Sequence, residues 1–436
     1  MSDVTATLHP ASVDAMAAAG LRMELVDTAD LTRFAPWHLA MARGFHSGTH
    51  SAELDARFRD TMASRRTTGV YDDAAHEPLS PVGTANSWRA PLTVPGERTV
   101  DGWAISSVTV APTHRRRGIA RALLEAELAT AAGLGIPLAM LTVSESSIYG
   151  RFGFAPAAMA ADWKIDTRRA RWTGPVPDGR VDFISVQEWR ELVPALHDTA
   201  RLLFPGDIEM WGGRWDQIAG ILTDDSGYAA KLRAVQYRDA VGELRGLALF
   251  RVLEGDTDFA EHRISVEALV HTTDDAYAAL WRFLLETDLV SSVTAELRSV
   301  DEPVRWMISD WRAARVTTYE HHYLRLLDVA AAFQGRSYVT AGSVAFSVAD
   351  ALGYAAGDWL LTVTGADAVV ERVGAVPSGV PALALGVAEL SALYLGGVAV
   401  PTLVAAGRVR ELTPGASVAA DALLRSPVVP WLSRWY

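Results

Sequence analysis

Between Ser106 and Ala126 the sequence passes from strand pattern to helix pattern across a single proline, and that junction constrains everything around it. Ser106 to Val110 is β-prone and extended, and Pro112 stops the strand from continuing. From Arg115 onward the pattern is helical, with Ile119, Ala122, Leu123 and Ala126 on one face and Arg121 and Glu125 on the other. A turn that opens a helix presents unsatisfied N–H groups and the positive end of the helix dipole, which together make an anion site. Gly118 lets the backbone approach such an anion closely, and Ala120 is almost as small. Arg115, Arg116, Arg117 and Arg121 add guanidinium groups able to form two-pronged bonds to phosphate oxygens. A basic helix start on a solvated face, or a nucleic-acid patch, is the competing reading of the arginines alone. Strand, proline, spaced arginine, glycine and helix together favour a phosphate-bearing ligand.

Composition narrows the class of protein. A chain of 436 residues has room for two to four domains, each with its own core. It has no cysteine, which excludes disulfides, thiolate metal sites and a cysteine nucleophile. No apolar run is long enough to cross a bilayer, and Met1 to Gly20 has neither the basic start nor the apolar stretch of a secretory signal. A soluble cytoplasmic protein is expected, with residues 1–20 a flexible tail and no membrane partner. The net charge of −12 argues against nucleic acid as the main partner and is compatible with a cationic acceptor.

Along the chain, residues 38–62 read as helical and Glu77 to Glu97 as a loop or ragged hairpin rich in proline, glycine and serine. Leu138 to Val143 reads as a short buried strand, followed by Ser144-Glu145-Ser146-Ser147-Ile148-Tyr149-Gly150-Arg151-Phe152-Gly153-Phe154. This succession of strand, helix, strand, short helix and Gly-Phe strand predicts a mixed α/β core. Arg168 to Asp182 reads as a linker or hairpin tip. Beyond it, Tyr228 to Val235, Leu244 to Val252, Ile264 to Val270 and Val293 to Leu297 read as strands, with a helix at Asp275 to Leu285. A helix at Val329 to Gln334 and strands at Ser337 to Val348 and Trp359 to Thr364 follow, then helix from Leu383 to Leu395. The end of the sequence, Pro427 to Tyr436, carries two tryptophans, a leucine and a tyrosine, so it is expected to be packed rather than solvated.

Arg115-x-x-Gly118-x-Ala120 resembles the acyl-CoA pyrophosphate loop of GNAT acetyltransferases. Val110 to Gly118, Ile148 to Phe154, Val300 to Trp306 and Tyr323 to Val329 together resemble the Eis (enhanced intracellular survival) family of that class. The resemblance implies an α/β (α+β) protein of tandem GNAT-like mixed sheets plus a C-terminal sterol-carrier-like domain. After the tail, residues 21–165 would be the catalytic GNAT domain and 166–325 a second GNAT-like domain without cofactor. Residues 326–436 would be the sterol-carrier-like domain. Acetyl-CoA would be the co-substrate, with no metal. A small-molecule amine, an aminoglycoside acetylated at more than one position, would be the acceptor, and the chain would assemble as a homo-oligomer, a hexamer. By the same resemblance Val108, Thr109 and Val110 would hold the thioester and pantetheine arm through backbone groups. Arg116 to Arg121, with Ile119 and Ala120 among them, would hold the pyrophosphate, and Ser144 and Glu145 would flank the arm. Tyr149 matches the family's general acid, and Tyr436 the position whose free carboxylate is the general base. Ser47 and Trp435 fall near positions where acidic residues that grip a cationic substrate would be expected.

Each role has a simpler competitor. Tyr149 suits proton donation, since a phenol with a pKa near ~10 stays protonated at neutral pH; otherwise it packs beside Phe152 and Phe154. An α-carboxyl group, with a pKa of about 3.5, is a poor base unless burial raises it or a water relays the proton. Glu145 is the rival base, or a solvated loop residue. His114 reads as a surface or phosphate-edge residue, and His321 and His322 lack a further ligand at metal spacing. Transfer to protein lysine or a polyamine, and a non-catalytic acyl-CoA or lipid-binding regulator, stay open as alternatives.

Overall fold

The computed structural model describes residues 3–48, 51–255 and 259–436. Its contacts divide the chain into two units. The first holds the described residues up to Ala158 together with His321–Pro427 and Trp435–Tyr436; the second holds Met159–Glu320 and Val428–Arg434.

In the first unit, strands β1 (Arg22–Leu25), β2 (Arg66–Tyr71), β3 (Gly83–Val94) and β4 (Arg98–Val110) form an antiparallel meander, and β5 (Leu138–Thr142) joins β4 in parallel. Helix α4 (Ile119–Gly133) makes the crossover from β4 to β5. Before it come α1 (Pro10–Ala18), α2 (Leu31–Gly44) and α3 (Ala52–Met62), and after β5 the single turn α5 (Ser146–Tyr149). Two apolar faces of α4 are buried. Ile119, Ala122, Leu123 and Ala126 pack with Met16, Val70 and Ala85, while Leu124, Leu128 and Ala131 pack with Trp103, Ile105 and Leu141. Between them Glu127 is fully buried and accepts hydrogen bonds from the Ser87 hydroxyl at 2.5 Å and the Trp103 indole N–H at 3.0 Å. A buried carboxylate is tolerated only with such partners.

Three expectations change here. Pro10–Ala18, read as part of a flexible tail, is a helix with proline in its first turn, and Met16 is buried against α4. Met1 and Ser2 of that expected tail lie outside the described residues. Of the two readings of Glu77 to Glu97, loop or ragged hairpin, the loop does not hold: the stretch is mostly the twelve-residue strand β3, the first arm of a hairpin with β4. The helix expected over 38–62 is two helices, α2 and α3; residues 49 and 50 of that span lie outside the described residues.

In the second unit the strand order is β6 (Ala155–Asp166), β11 (Val290–Arg298), β10 (His262–His271), β9 (Leu244–Leu253), β8 (Leu232–Arg238), β7 (Arg180–Ile184). Only β10 and β11 run parallel. The crossover between them is α9 (Asp274–Leu285), whose cap is the Thr273 hydroxyl accepting from the Ala276 N–H. Ala276, Tyr277, Leu280, Trp281 and Leu284 of α9 pack on Trp163, Ile165, Phe250 and Ile264 of the sheet. On the other face α6 (Val186–Ala200) covers β8 to β10 through Trp189 and Val193. The short helices α7 (Gly212–Ile218) and α8 (Ser226–Ala230) complete the unit, so the strand expected from Tyr228 starts only at Leu232. Asp225 explains the shift: its carboxylate caps α8 by accepting from the Tyr228 N–H at 3.0 Å. Trp431 and Leu432 are buried in this unit, and the Trp431 indole N–H donates to the Leu297 carbonyl at 2.7 Å.

The remainder of the first unit begins at His321, within β12 (Ala314–Leu326), and residues His322 to Leu326 of that strand pair antiparallel with β5. After α10 (Val329–Gly335) come β13 (Gly342–Ala349), β14 (Gly357–Thr364), β15 (Asp367–Val373), β16 (Ala382–Gly386) and β17 (Val409–Glu411). They form a five-stranded sheet in the order β15-β14-β13-β16-β17. Helices α11 (Val387–Leu393), α12 (Val400–Ala405) and α13 (Ala416–Leu424) accompany it. The segment Leu383 to Leu395, expected as helix throughout, starts as strand β16, which pairs with β13 and β17. Arg325 of β12 is fully buried and meets the carboxylate of Asp350 with one amino group at 2.7 and 2.8 Å. Among the described residues no helix is long and apolar enough to cross a membrane.

Candidate active site

Strands β4 and β5 stay together for only three residue pairs, Gly102–Ala104 against Leu138–Met140. Beyond that point they part. The cause lies on the other edge of β4, where the register to β3 skips between Thr84 and Asn86. Ser107 fills the skip in a left-handed conformation, φ +56°, uncommon for a residue with a side chain. It is held there from β3: the Thr84 hydroxyl donates to its carbonyl at 2.8 Å and the Asn86 amide to its hydroxyl at 3.0 Å. Thr84 also bonds Thr109 at 2.6 Å. The bulge turns β4 away from β5, so that among the described residues the two edges do not pair beyond Ala104 and Met140.

A cavity of about 200 Å³ occupies this gap. Ile105, Ser106, Ser107 and Val108 form one wall, and Leu141, Thr142, Ser144 and Tyr149 another. Phe45, Trp435 and Tyr436 complete it. Of the residues singled out in the sequence, Val108, Ser144, Tyr149 and Tyr436 therefore share one space. Thr109 and Val110 are in β4 but pair with Thr84 and Gly83 of β3. Glu145 is exposed and accepts from the Ser147 hydroxyl at 3.2 Å, away from the lining.

Tyr149 is buried, with its ring edge-on to Phe154 and Tyr323 at 6.3 and 6.5 Å. Burial pushes its phenol above the ordinary value; a hydrogen bond with Ser144 works against this and the charge of Glu145 works with it. The phenol is thus a proton carrier at neutral pH. Tyr436 is fixed at both ends. Its main-chain oxygen accepts from the Thr142 hydroxyl at 3.0 Å, and its phenol oxygen lies 2.8 Å from Nε2 of His322. Trp88 packs edge-on against its ring, 5.6 Å between centroids. Burial raises the Tyr436 phenol well above the usual range.

The arginine loop lies at the start of α4. The helix begins at Ile119, not at Arg115, because Gly118 takes φ +80° at the N-cap and Arg116 takes φ +65°. No side chain caps Gly118, so the N–H groups of Ile119, Ala120 and Arg121 have no partner within the helix. Arg115, Arg116 and Arg121 are exposed. Arg117 differs: it reaches Asp72 at 3.3 Å and donates to the Ala19 carbonyl at 2.7 Å. Asp72 also meets His114 at 3.0 Å, and that hydrogen bond is the leading cause of its lowered carboxyl pKa. Arg117 and His114 thus brace the loop while Arg115 and Arg116 stay open to an anion and the exposed Arg121 stands 3.8 Å from Glu125. Replacing Gly118 by alanine forces a side chain into the left-handed region at a cost of about 1–2 kcal/mol. The expected result is about tenfold weaker binding of the phosphate-bearing ligand expected at the loop, measured by titration calorimetry; unchanged binding would remove the loop from the binding site.

Phe45, Ser106, Ser107 and Thr142 were not singled out as site residues by the sequence, and His322 was weighed only as a metal ligand. Thr142 and His322 are directly cross-strand neighbours, a relation that only the pairing of β5 with β12 creates. Among the described residues no cluster of three or more His, Asp or Glu is gathered that could hold a metal ion.

Comparison with known proteins follows the same division. An acetyltransferase (GNAT) domain matches residues 26–157, a second acetyltransferase (GNAT) domain residues 209–326, and a sterol carrier protein domain residues 329–433. A protein of Streptomyces avermitilis described as an uncharacterized N-acetyltransferase is 36% identical over 406 residues, covering 91% of this chain and 95% of that one. N-acetyltransferase Eis of Mycobacterium tuberculosis is 32% identical over 352 residues, 78% of this chain and 82% of its own length. The crystal structure of Eis1 from Mycobacterium abscessus superposes with a TM-score of 0.80 at 29% identity, covering 95% of this chain and all of that one.

Proposed function

Because the chain belongs to the Eis family of GNAT N-acetyltransferases, we propose that it passes an acetyl group from acetyl-CoA directly to a primary amine within the β4–β5 gap. Tyr149 is the acid and the carboxylate of Tyr436 the base. The observation that carries this reading is the convergence of Tyr149, Tyr436 and the bulged edge of β4 on one cavity. The GNAT fold implies acetyl-CoA as co-substrate. Its pyrophosphate is assigned to the first turn of α4 with Arg115, Arg116 and Arg121, and its arm to Val108 and Ser144.

The amine nitrogen attacks the thioester carbonyl carbon, forming the C–N bond and placing negative charge on the carbonyl oxygen. N–H groups of the β4 edge stabilise that oxygen, each such donor being worth about 2.7–4 kcal/mol. Collapse breaks the C–S bond, and the departing thiolate takes the Tyr149 proton. The proton of the new ammonium leaves through the Tyr436 carboxylate, directly or through one water. Among the described residues no Asp or Glu side chain lines the cavity, which favours Tyr436 over Glu145 as the base. The chain has no cysteine, in keeping with transfer without an acetyl-enzyme.

The acceptors proposed are aminoglycosides, acetylated at more than one position, with polyamines and protein lysines as the alternatives. A cytoplasmic hexamer goes with the same reading. CoA release read with a thiol reagent tests it against all three amine classes. Turnover with more than one CoA released per aminoglycoside supports the first class. Silence across the panel with acetyl-CoA still bound overturns the catalytic reading in favour of a binding protein. Adding a few residues after Tyr436 moves the carboxylate out of the cavity, and kcat is then expected to fall at least tenfold, within the ~10²–10⁴ range of general base catalysis. Full turnover by the extended chain would transfer the base role to another group.

A further inference from the structure

We propose that the second unit carries a separate binding site for a compact polyanion bearing two or more phosphate groups. The site is a cleft of about 330 Å³ at one end of its sheet. Alternation along the strands explains its polarity. Trp163 and Ile165 of β6 point into the core with α9, so Lys164 and Asp166 occupy the opposite face. On that face Arg263 of β10 stands beside Ser292 of β11, which pairs with Asp166. The turn after β6 adds Arg168 and Arg169, and the segment entering β12 adds Arg312 and Arg315.

Six cations therefore line one concavity, Lys164, Arg168, Arg169, Arg263, Arg312 and Arg315, all exposed. Among the described residues the opposing carboxylates are fewer. Glu261 reaches Arg168 at 3.3 Å, Asp310 reaches Arg169 at 2.6 Å, and Asp166 accepts from the Arg168 backbone N–H at 3.0 Å. Lys164, Arg263, Arg312 and Arg315 have no salt-bridge partner among the described residues. For a chain with net charge −12 this is a local reversal of sign. A concave wall of one charge focuses the field, so an anion entering it is attracted more strongly than on an open face. Five of the six cations are arginines, the side chain suited to two-pronged phosphate recognition. This site shares no residue with the acetyl-transfer cavity or the α4 loop.

Titration calorimetry of the full chain with inorganic tripolyphosphate, at constant ionic strength set with KCl, tests the proposal. Saturable binding is expected, weakened about tenfold or more in an Arg263→Ala/Arg315→Ala double variant. An Arg116→Ala/Arg121→Ala variant is expected to keep it. Acetyl transfer by the first double variant should be unchanged, so failure of this site and failure of the catalytic reading give different results. ATP in place of tripolyphosphate distinguishes sources: equal affinity means recognition of the phosphates alone, tighter binding means a nucleotide, and both support the site. Binding lost only in the α4 variant would place the anion at the acetyl-CoA loop and overturn the proposal. Two other results overturn it: no heat beyond that of KCl, which makes the cleft a solvated face, or an altered oligomeric state of the cleft variant, which makes it an interface.

Discussion

Tyr149→Phe is expected to lower kcat by about 10²–10⁴-fold, the span of a single general acid, while leaving the dissociation constant for acetyl-CoA within about twofold. The asymmetry follows from what the substitution removes. Phenylalanine keeps the ring that packs edge-on against Phe154 and Tyr323, so the wall of the cavity persists. It deletes only the hydroxyl, which burial holds protonated at neutral pH. A proton donor matters when the thiolate leaves, not when the thioester binds, so the loss belongs in kcat. Steady-state kinetics with one amine and calorimetry with acetyl-CoA decide the point. Equal losses in binding and turnover would reduce Tyr149 to a packing residue; a fall of less than threefold in kcat would give its proton to another group.

The second large effect is on folding. Asp350→Ala is expected to destabilise the first unit by about 3–5 kcal/mol, the cost of leaving one member of a buried ion pair unmatched. Arg325 is fully buried, and burial drives its guanidinium pKa down while Asp350 holds it up. Asp350 also accepts from the N–H groups of Leu352 and Ala355, at 3.1 and 2.8 Å, so its loss orphans the turn after β13 as well. Urea unfolding of the full chain measures the change. A double variant, Arg325→Met with Asp350→Leu, removes both charges and is expected to recover much of the loss, which separates the orphaned charge from general disruption. The effect reaches the site: Arg325 Nε donates to the Phe152 carbonyl at 3.2 Å, and its side chain abuts Gly153, which has φ +89°. A Cβ there would come within 2.7 Å of Val387. Activity should therefore fall before global unfolding as denaturant is added to Asp350→Ala. A destabilisation below about 1 kcal/mol would mean that water reaches the guanidinium.

Local sequence carried the α4 loop well, because glycine, proline and helical periodicity act within a few residues of each other. It failed where pairing decides the structure. Pro91 and its neighbours disguised β3, yet β2 pairs only with Gly83 to Ser87. Pro91 sits beyond that stretch, where β3 has β4 on one side and no β2 on the other. The Ala- and Leu-rich run from Leu383 could equally be buried strand or helix by composition. Its first residues became strand because β13 and β17 flank them. In the site, Tyr149 could be singled out by its motif, but the bulge at Ser107 could not. A serine gives no sign of positive φ; Thr84 and Asn86, some twenty residues earlier, impose it. His322 was hidden for the same reason, its partner Tyr436 lying 114 residues away.

The parting of β4 and β5 also bears on how a sheet with such an edge avoids pairing with another chain. Two strand edges with free backbone groups are ordinarily a template on which another polypeptide adds a strand, the first step of edge-to-edge aggregation. Here the exposed template is a short wedge: β5 is only five residues long and is already paired with β12 on its far side. Tyr436, tied to Thr142, and Trp435, edge-on to His321 with ring centroids 4.4 Å apart, stand at its wall. A second chain would have to displace both to register against the edge. A slender arm carrying isolated amide groups need not, so the proposed placement of the coenzyme's arm in the wedge is compatible with refusing a peptide.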